Sequence, residues 1–310
     1  MATHELDASL VHYEWNHALP PRLEIDPGDT VVFRTRDAAD GWFTPTSTAA
    51  DAAAKPPFRG HPLTGPVRVR EARPGTVLVV EIVDMKPAAS FGYTQILPGR
   101  GLLPEEFPDA SVHIWDLSDG LLARLGNRLA VPIEPFPGVM GVALDEPGSH
   151  TTMPPRKNGG NMDIKQLTAG TTLYLPVWVD GALFSVGDGH AAQGDGEVCI
   201  NAVEMAAQVT LRFDLLTDRK LPEPRLRTRG PIAARTNVGP HYATTAHGPD
   251  LYRSAQQATR YMIEHLVEER GLTREEAYVL CSVAADLKIS QIVDAPNWIV
   301  SAFLPESVFV

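Results

Sequence analysis

The chain has only two cysteines in 310 residues, Cys199 and Cys281. They are too few and too far apart for a zinc knuckle or a disulfide framework, so two buried free thiols are expected. No apolar run approaches the roughly 18 residues of a membrane-crossing helix. Met1 to Leu10 (MATHELDASL) lacks the basic start and apolar stretch of a signal peptide, so a cytoplasmic location is expected. Positive charge is scarce: 27 Lys and Arg stand against 38 Asp and Glu, a net charge of -11. The cations are also scattered, which argues against a nucleic-acid partner and leaves a small neutral or cationic substrate. Several signatures are missing as well. Without a Gly-x-Ser-x-Gly elbow, a serine hydrolase of the α/β type has no support. Without a P-loop or a Gly-x-Gly-x-x-Gly turn after a strand, the usual nucleotide sites have none either.

What the chain does have is punctuation. Its 25 glycines and 27 prolines, with 44% hydrophobic and 21% charged residues, suit many short strands and turns better than long helices. Three segments share a pattern: Leu23–Ile25 before Pro27-Gly28 and Val31–Phe33; Val67–Val69 before Pro74-Gly75 and Val77–Ile82; Met162–Ile164 before Ala169-Gly170 and Thr172–Leu175. Each reads as strand, turn, alternating strand, a repeated β-hairpin unit. With further strands at Ala182–Val186, Val198–Met205 and Val209–Leu216, a mainly β fold is predicted, a sandwich or barrel.

After Leu216 the run TDRKLPEPRLRTRGP reads as a linker or as a charged edge. The period then changes. Asp250 caps a helix to about Arg270 with Ala255, Ala258, Met262 and Leu266 on one face, and Gly271 stops it. Thr273-x-x-Glu276 is a capping box opening a second helix. The tail IVDAPNWIVSAFLP reads as a returning strand. Residues 1–219 are thus expected as a β-rich catalytic domain and 220–310 as a small α+β subdomain packed on it.

Candidate chemistry concentrates in Gly159–Asp163 and Ala182–Glu197. In an extended chain Asp188 and His190, two residues apart, project on one side. Imidazole plus carboxylate suits a divalent metal such as zinc, with Asp163 as third ligand. Asp-Gly is also among the commonest turn dipeptides, so spacing alone leaves a pair of ordinary turns open. Glu197, read as entering an apolar strand, is a candidate general base; Glu204, seven residues on, falls on the opposite face of a regular strand and ranks lower. Asp195 offers hard oxygen to a second, structural ion such as calcium. Trp15 beside His12 is a possible pocket wall, though more often core. Cys199 is a conceivable thiol nucleophile without an adjacent base.

At these residues the sequence resembles the acetamidase/formamidase family. The similarity lies in Ser149–Ile164, Thr172–Val177 and Gly181–Val198, supported by His12-Tyr13-x-Trp15-Asn16 and Thr64-Gly65-Pro66. The resemblance implies a β-rich, oligomeric hydrolase that splits short amides into carboxylate and ammonia. The chain's size is similar to the shorter, acetamidase-like branch. Asn161, Asp163, Asp188, His190, Gln193 and Glu197 fall in the family's most recognisable polar motif. The expected mechanism has a zinc-like ion on Asp163, Asp188 and His190, Glu197 as base, and the same ion or Asn161 polarising the carbonyl, with Gln193, Asp195 and Trp15 around them. His61 and His113 depart from the family pattern and stand outside the expected site. Two other readings remain: a non-catalytic β-sandwich that binds a small ligand, and a thiol amidase using Cys199.

Overall fold

The computed structural model describes residues 1–229 and 239–310. Two β-sheets face each other across the core. The smaller has six strands in the order Thr3–Leu6, Thr30–Thr35, Ala207–Leu216, Val77–Pro87, Thr172–Pro176 and Arg225–Arg227. The larger runs from Leu129–Pro132 through Leu122–Leu125, Ser111–Asp116, Phe91–Ile96, Glu204–Met205, Phe184–His190 and Phe136–Gly141 to Gly159–Asn161. Thr64–Val69 pairs with Phe184–His190, and Leu23–Ile25 pairs with Thr64–Val69. Alternation drives the packing: in Thr30–Thr35, Val31, Phe33 and Thr35 are buried while Arg34 is exposed, as a half-buried strand requires. Phe33 and Phe213 of the smaller sheet meet Phe184 of the larger edge-on, with ring centroids 6.1 and 5.0 Å away, so the two sheets share one aromatic contact at the centre of the core.

The three repeats supply strands, but not hairpins. Leu23–Ile25 pairs with Thr64–Val69 while Thr30–Thr35 lies in the other sheet. Thr64–Val69 and Val77–Pro87 are separated in the same way. In the third repeat Gly159–Asn161, not Met162–Ile164, is the strand, and Thr172–Pro176 again belongs to the opposite sheet. Each Gly turn therefore carries the chain from sheet to sheet. Turn chemistry permits either route; burial of both strands' apolar faces in one core selects the crossing.

The charged run after Leu216 contributes Arg225–Arg227 as the edge strand beside Thr172–Tyr174; residues 230 and 231 of that run lie outside the described residues. The α+β part follows. Asp250 accepts hydrogen bonds from the Tyr252 and Arg253 amides to cap helix Leu251–Arg270, which Gly271 ends in a left-handed conformation. The Thr273–Glu276 capping box opens helix Arg274–Ala284. Both pack with the three-stranded sheet of His241–Gly248, Trp298–Pro305 and Asp286–Gln291. Ala258, Met262, Leu266 and Leu280 join the same apolar core as the large sheets. No helix among the described residues is long and apolar enough to cross a membrane.

Candidate metal centre and active site

The cluster is assembled on two paired strands of the larger sheet and the loops beside them. Phe136–Gly141 and Phe184–His190 pair at Val139 with Gly187 and at Pro137 with Gly189, and the ladder skips Gly138 and Asp188. At that gap Asp188 takes φ +57°. The Gly138 carbonyl accepts from the Met162 and Asp163 amides, which folds the next loop back onto the same point. A methyl on Gly138 would lie 2.7 Å from His190 Cε1 and 2.8 Å from both Asp163 Oδ1 and Asp188 Oδ2. Three polar side chains thus converge over the one position without a Cβ, the close approach that glycine alone allows.

Around His190 the acids are dense. Its Nε2 is 3.4 Å from Asp188 Oδ2 and 3.2 Å from Glu204 Oε2. Asp163, His190 and Glu197 offer atoms within 4.8 Å of one another, and so do Asp188, His190 and Glu204. His61 approaches from the other side, with Nε2 3.7 Å from Asp188 Oδ2. Asp188, His190 and Glu204 are buried, while Asp163 and Glu197 are partly so. Burial and the neighbouring carboxylates raise Asp163 and Glu204 to about 7 and drive Glu197 well above the carboxylate range. Asp188 is held low by His61 and His190 against its own burial. His190 is raised by Glu204 and Asp188 despite burial, whereas His61 is lowered by its own burial. Such opposed shifts in one cavity mark a site poised for proton transfer or cation binding.

The hydrogen-bond network sets which atoms face inward. The Asp163 carbonyl can only accept, so the Gln193 Nε2 that donates to it at 2.8 Å turns Gln193 Oε1 toward His190 Nδ1, 2.9 Å away. Nδ1 therefore carries a hydrogen, and Nε2 is the ring nitrogen turned to the cluster. Glu204 Oε1 accepts from Asn201 Nδ2 and the Ala202 amide, each at 3.1 Å, which leaves Oε2 facing His190. Asp163 Oδ1, Asp188 Oδ1, His190 Nε2 and Glu204 Oε2 are buried without a hydrogen-bond partner. Buried polar atoms normally have one. Oxygen and imidazole nitrogen gathered in two triads that share His190 are a donor set for a divalent cation, so the residues present fit such an ion.

Of the expected residues, the fold brings Asn161, Asp163, Asp188, His190, Gln193 and Glu197 together; all but His190 and Gln193 line the cavity wall itself, and those two stand directly behind it. Asn161 donates through Nδ2 to the Met153 carbonyl at 3.0 Å, leaving Oδ1 without a partner; it offers the cavity an acceptor. Asp195 lies apart, hydrogen-bonded by Gln166 and 3.7 Å from the Lys165 ammonium at the seam with Asp286. Trp15 packs with Leu63, Val139 and Leu144, filling the space left by Gly141 and Gly160, and does not line the cavity. Glu197 does not enter a strand: it sits in a turn at φ +44°, and only Glu204–Met205 is strand. The two-residue alternation that set Glu204 apart does not operate across that turn, and Glu204 comes to the centre. His61, expected outside, lines the cavity together with Lys55, Gln95 and Asn201. His113 lies in strand Ser111–Asp116, away from the cluster. Cys199 is buried, with its thiol pushed up to about 12 by that burial, so it stays protonated at neutral pH.

The acetamidase/formamidase family profile matches the chain over residues 2–149 and 144–310. The chain belongs to the acetamidase/formamidase family. A formamidase of Methylophilus methylotrophus is 27% identical over 96% of this chain and 89% of its own length. Among solved structures, the gamma lactamase from Delftia acidovorans superposes with a TM-score of 0.89 at 26% identity, over 100% of this chain and 93% of that one. An acetamidase from Bacillus halodurans is 34% identical with a TM-score of 0.67, covering 97% and 96% of the two chains.

Proposed function

We propose that this member of the family hydrolyses a short aliphatic amide to a carboxylate and ammonia with the help of a divalent cation, zinc in the first instance, held by Asp163, Asp188, His190 and Glu204, with His61 beside them. The observation that carries the cation is the set of four unpartnered buried atoms on those residues, of which His190 Nε2 and Glu204 Oε2 lie 3.2 Å apart. When bound, such an ion supplies Lewis acidity, polarising a carbonyl and making water a better acid. The chain's own groups do the rest. Glu197, facing Asp163, takes a proton from the attacking water and returns it to the departing nitrogen. Its raised affinity for protons favours the second half of that exchange. Asn161 Oδ1 accepts from the substrate's amide N–H and holds the leaving nitrogen toward Glu197.

The cavity is about 80 Å3. At about 10–15 Å3 per water-sized group it has room for a handful of non-hydrogen atoms, which suits formamide or acetamide. The gamma lactamase likeness makes a small cyclic amide the natural competitor, since it presents the same reacting bond. A thiol mechanism is disfavoured by the burial and protonation of Cys199, and a purely ligand-binding role by family membership. The test is ammonia release from formamide, acetamide, propionamide and a γ-lactam by wild type and Glu197→Gln. Glu197→Gln should lose about 10²–10⁴-fold in turnover while retaining bound metal; near-normal turnover would remove Glu197 from the mechanism.

A further inference from the structure

A second cavity of about 440 Å3 adjoins the first, and Ala38, Lys55 and Phe58 line both. Its other walls include Tyr13, Trp42, Pro57 and Arg59. The cations of this wall differ in their engagement. Arg59 lies 2.9 Å from Asp40 and stacks on the Tyr13 ring at 3.8 Å, so it holds the wall together. The Lys55 ammonium makes no hydrogen bond and no ion pair among the described residues, and Lys55 is itself half-buried although the residues on either side of it are exposed. Asp37 and Glu204 act on it only at longer range. Arg100, at the exposed rim of the inner cavity, is likewise without a side-chain partner among the described residues. A partly desolvated ammonium left unpaired between two cavities is costly unless a ligand anion completes it.

We propose that Lys55, with Arg100 at the rim, forms a carboxylate-binding subsite at the junction of the two cavities. This rests on the amide-hydrolase reading of the inner cavity. Water adds to the amide carbon, the C–N bond breaks, and the products are a carboxylate and ammonium. The carboxylate arises among four crowded acids, Asp163, Asp188, Glu197 and Glu204. A cation at the exit draws that anion outward. The same ammonium would also read a carboxylate at the far end of a longer substrate lying in the outer cavity, the monoamide of a short dicarboxylic acid. The ligand chemistry is the same in both cases; the source differs.

The experiment compares wild type with Lys55→Met, which keeps the length of the stem without its charge, and with Lys55→Arg. Two quantities are read: inhibition of acetamide hydrolysis by acetate, and the ratio of kcat/KM for a dicarboxylic monoamide over the neutral amide of equal chain length. The subsite predicts that one or both weaken about tenfold in Lys55→Met and recover in Lys55→Arg, and that wild-type acetate inhibition declines as salt is raised. A change in acetate inhibition alone assigns the subsite to product, and a change in the ratio alone assigns it to a substrate tail. Neither moving overturns the proposal. If no amide is turned over by wild type, the hydrolase reading fails; acetate binding to wild type and Lys55→Met, measured by calorimetry, then still decides the subsite, and equal affinities would reject it.

Discussion

Gly138 shows how one residue with no side chain organises the centre. Its missing Cβ is where His190, Asp163 and Asp188 converge, and its carbonyl anchors the loop that carries Asp163. Gly138→Ala should therefore fold yet lose at least about 100-fold in turnover, because a displacement of around 1 Å at a reacting group is enough for that. Ammonia release and metal content on the purified variant check it, and unimpaired activity would mean the three side chains need not meet there. Gln193 acts one step further out by orienting His190. Gln193→Leu should weaken cation affinity about 10–100-fold, as loss of a ligand's outer hydrogen bond does elsewhere, measured by competition with a chromogenic chelator. At this scale Asp188 and His190 were legible in the sequence, since alternation along a strand puts them on one side. Glu204 and His61 were not. The first is hidden by the turn at Glu197, which breaks the two-residue count, and the second comes from a distant segment that only the tertiary fold delivers. Gly138 carried no signal at all, because its meaning lies in what surrounds it.

Among the elements, helix Arg274–Ala284 acts as a clamp on the loop bearing Glu197 and Asn201. Tyr278 donates to the Val198 carbonyl, and Ser282 Oγ donates to the Asn201 carbonyl at 2.7 Å while accepting from the Cys199 amide at 3.1 Å. Ser282→Ala leaves the Cys199 amide buried and unpaired and the Asn201 carbonyl with only the weak Cys199 thiol as donor. The expected cost is about 1–3 kcal/mol, read as a lowered urea midpoint with an unchanged m-value. At the opposite edge Asp29 accepts from the Ala2 and Asp26 amides and from His4, which ties the N-terminal strand Thr3–Leu6 beside Thr30–Thr35. The Ala2 amide, chief among these, holds the Asp29 carboxyl at about 2, against about 3.9 in an unfolded chain. The folded state binds this proton less readily, so the stabilisation is complete above pH 4 and drains away as pH falls toward 2. Asp29→Asn should be less stable than wild type at pH 7, and the gap should close in acid; a gap independent of pH would place the effect elsewhere. The starts of helices Leu251–Arg270 and Arg274–Ala284, and the Gly271 stop of the first, were legible to the residue, because capping is local chemistry, whereas the short helix Ala49–Ala54 was not. Strand pairing was not, because the Pro-Gly and Ala-Gly turns look alike whether they close a hairpin or cross between sheets.

For the whole molecule, the two-sheet core and the helical part serve to hold four acids and a histidine, Asp163, Asp188, Glu197, Glu204 and His190, where water would not otherwise let them crowd. Part of that burden is visible in the backbone. Asp163, Asp188, Glu197 and Ile200 all have positive φ, a conformation that non-glycine residues keep only where the surroundings enforce it. The measurement that bears most directly on this account is ammonia release from acetamide by protein as purified, after dialysis against a strong chelator, and after adding zinc back, with bound metal determined on each sample. The account predicts activity that disappears with the metal, returns with zinc, and is indifferent to alkylation by iodoacetamide. Full activity in metal-free protein would contradict it.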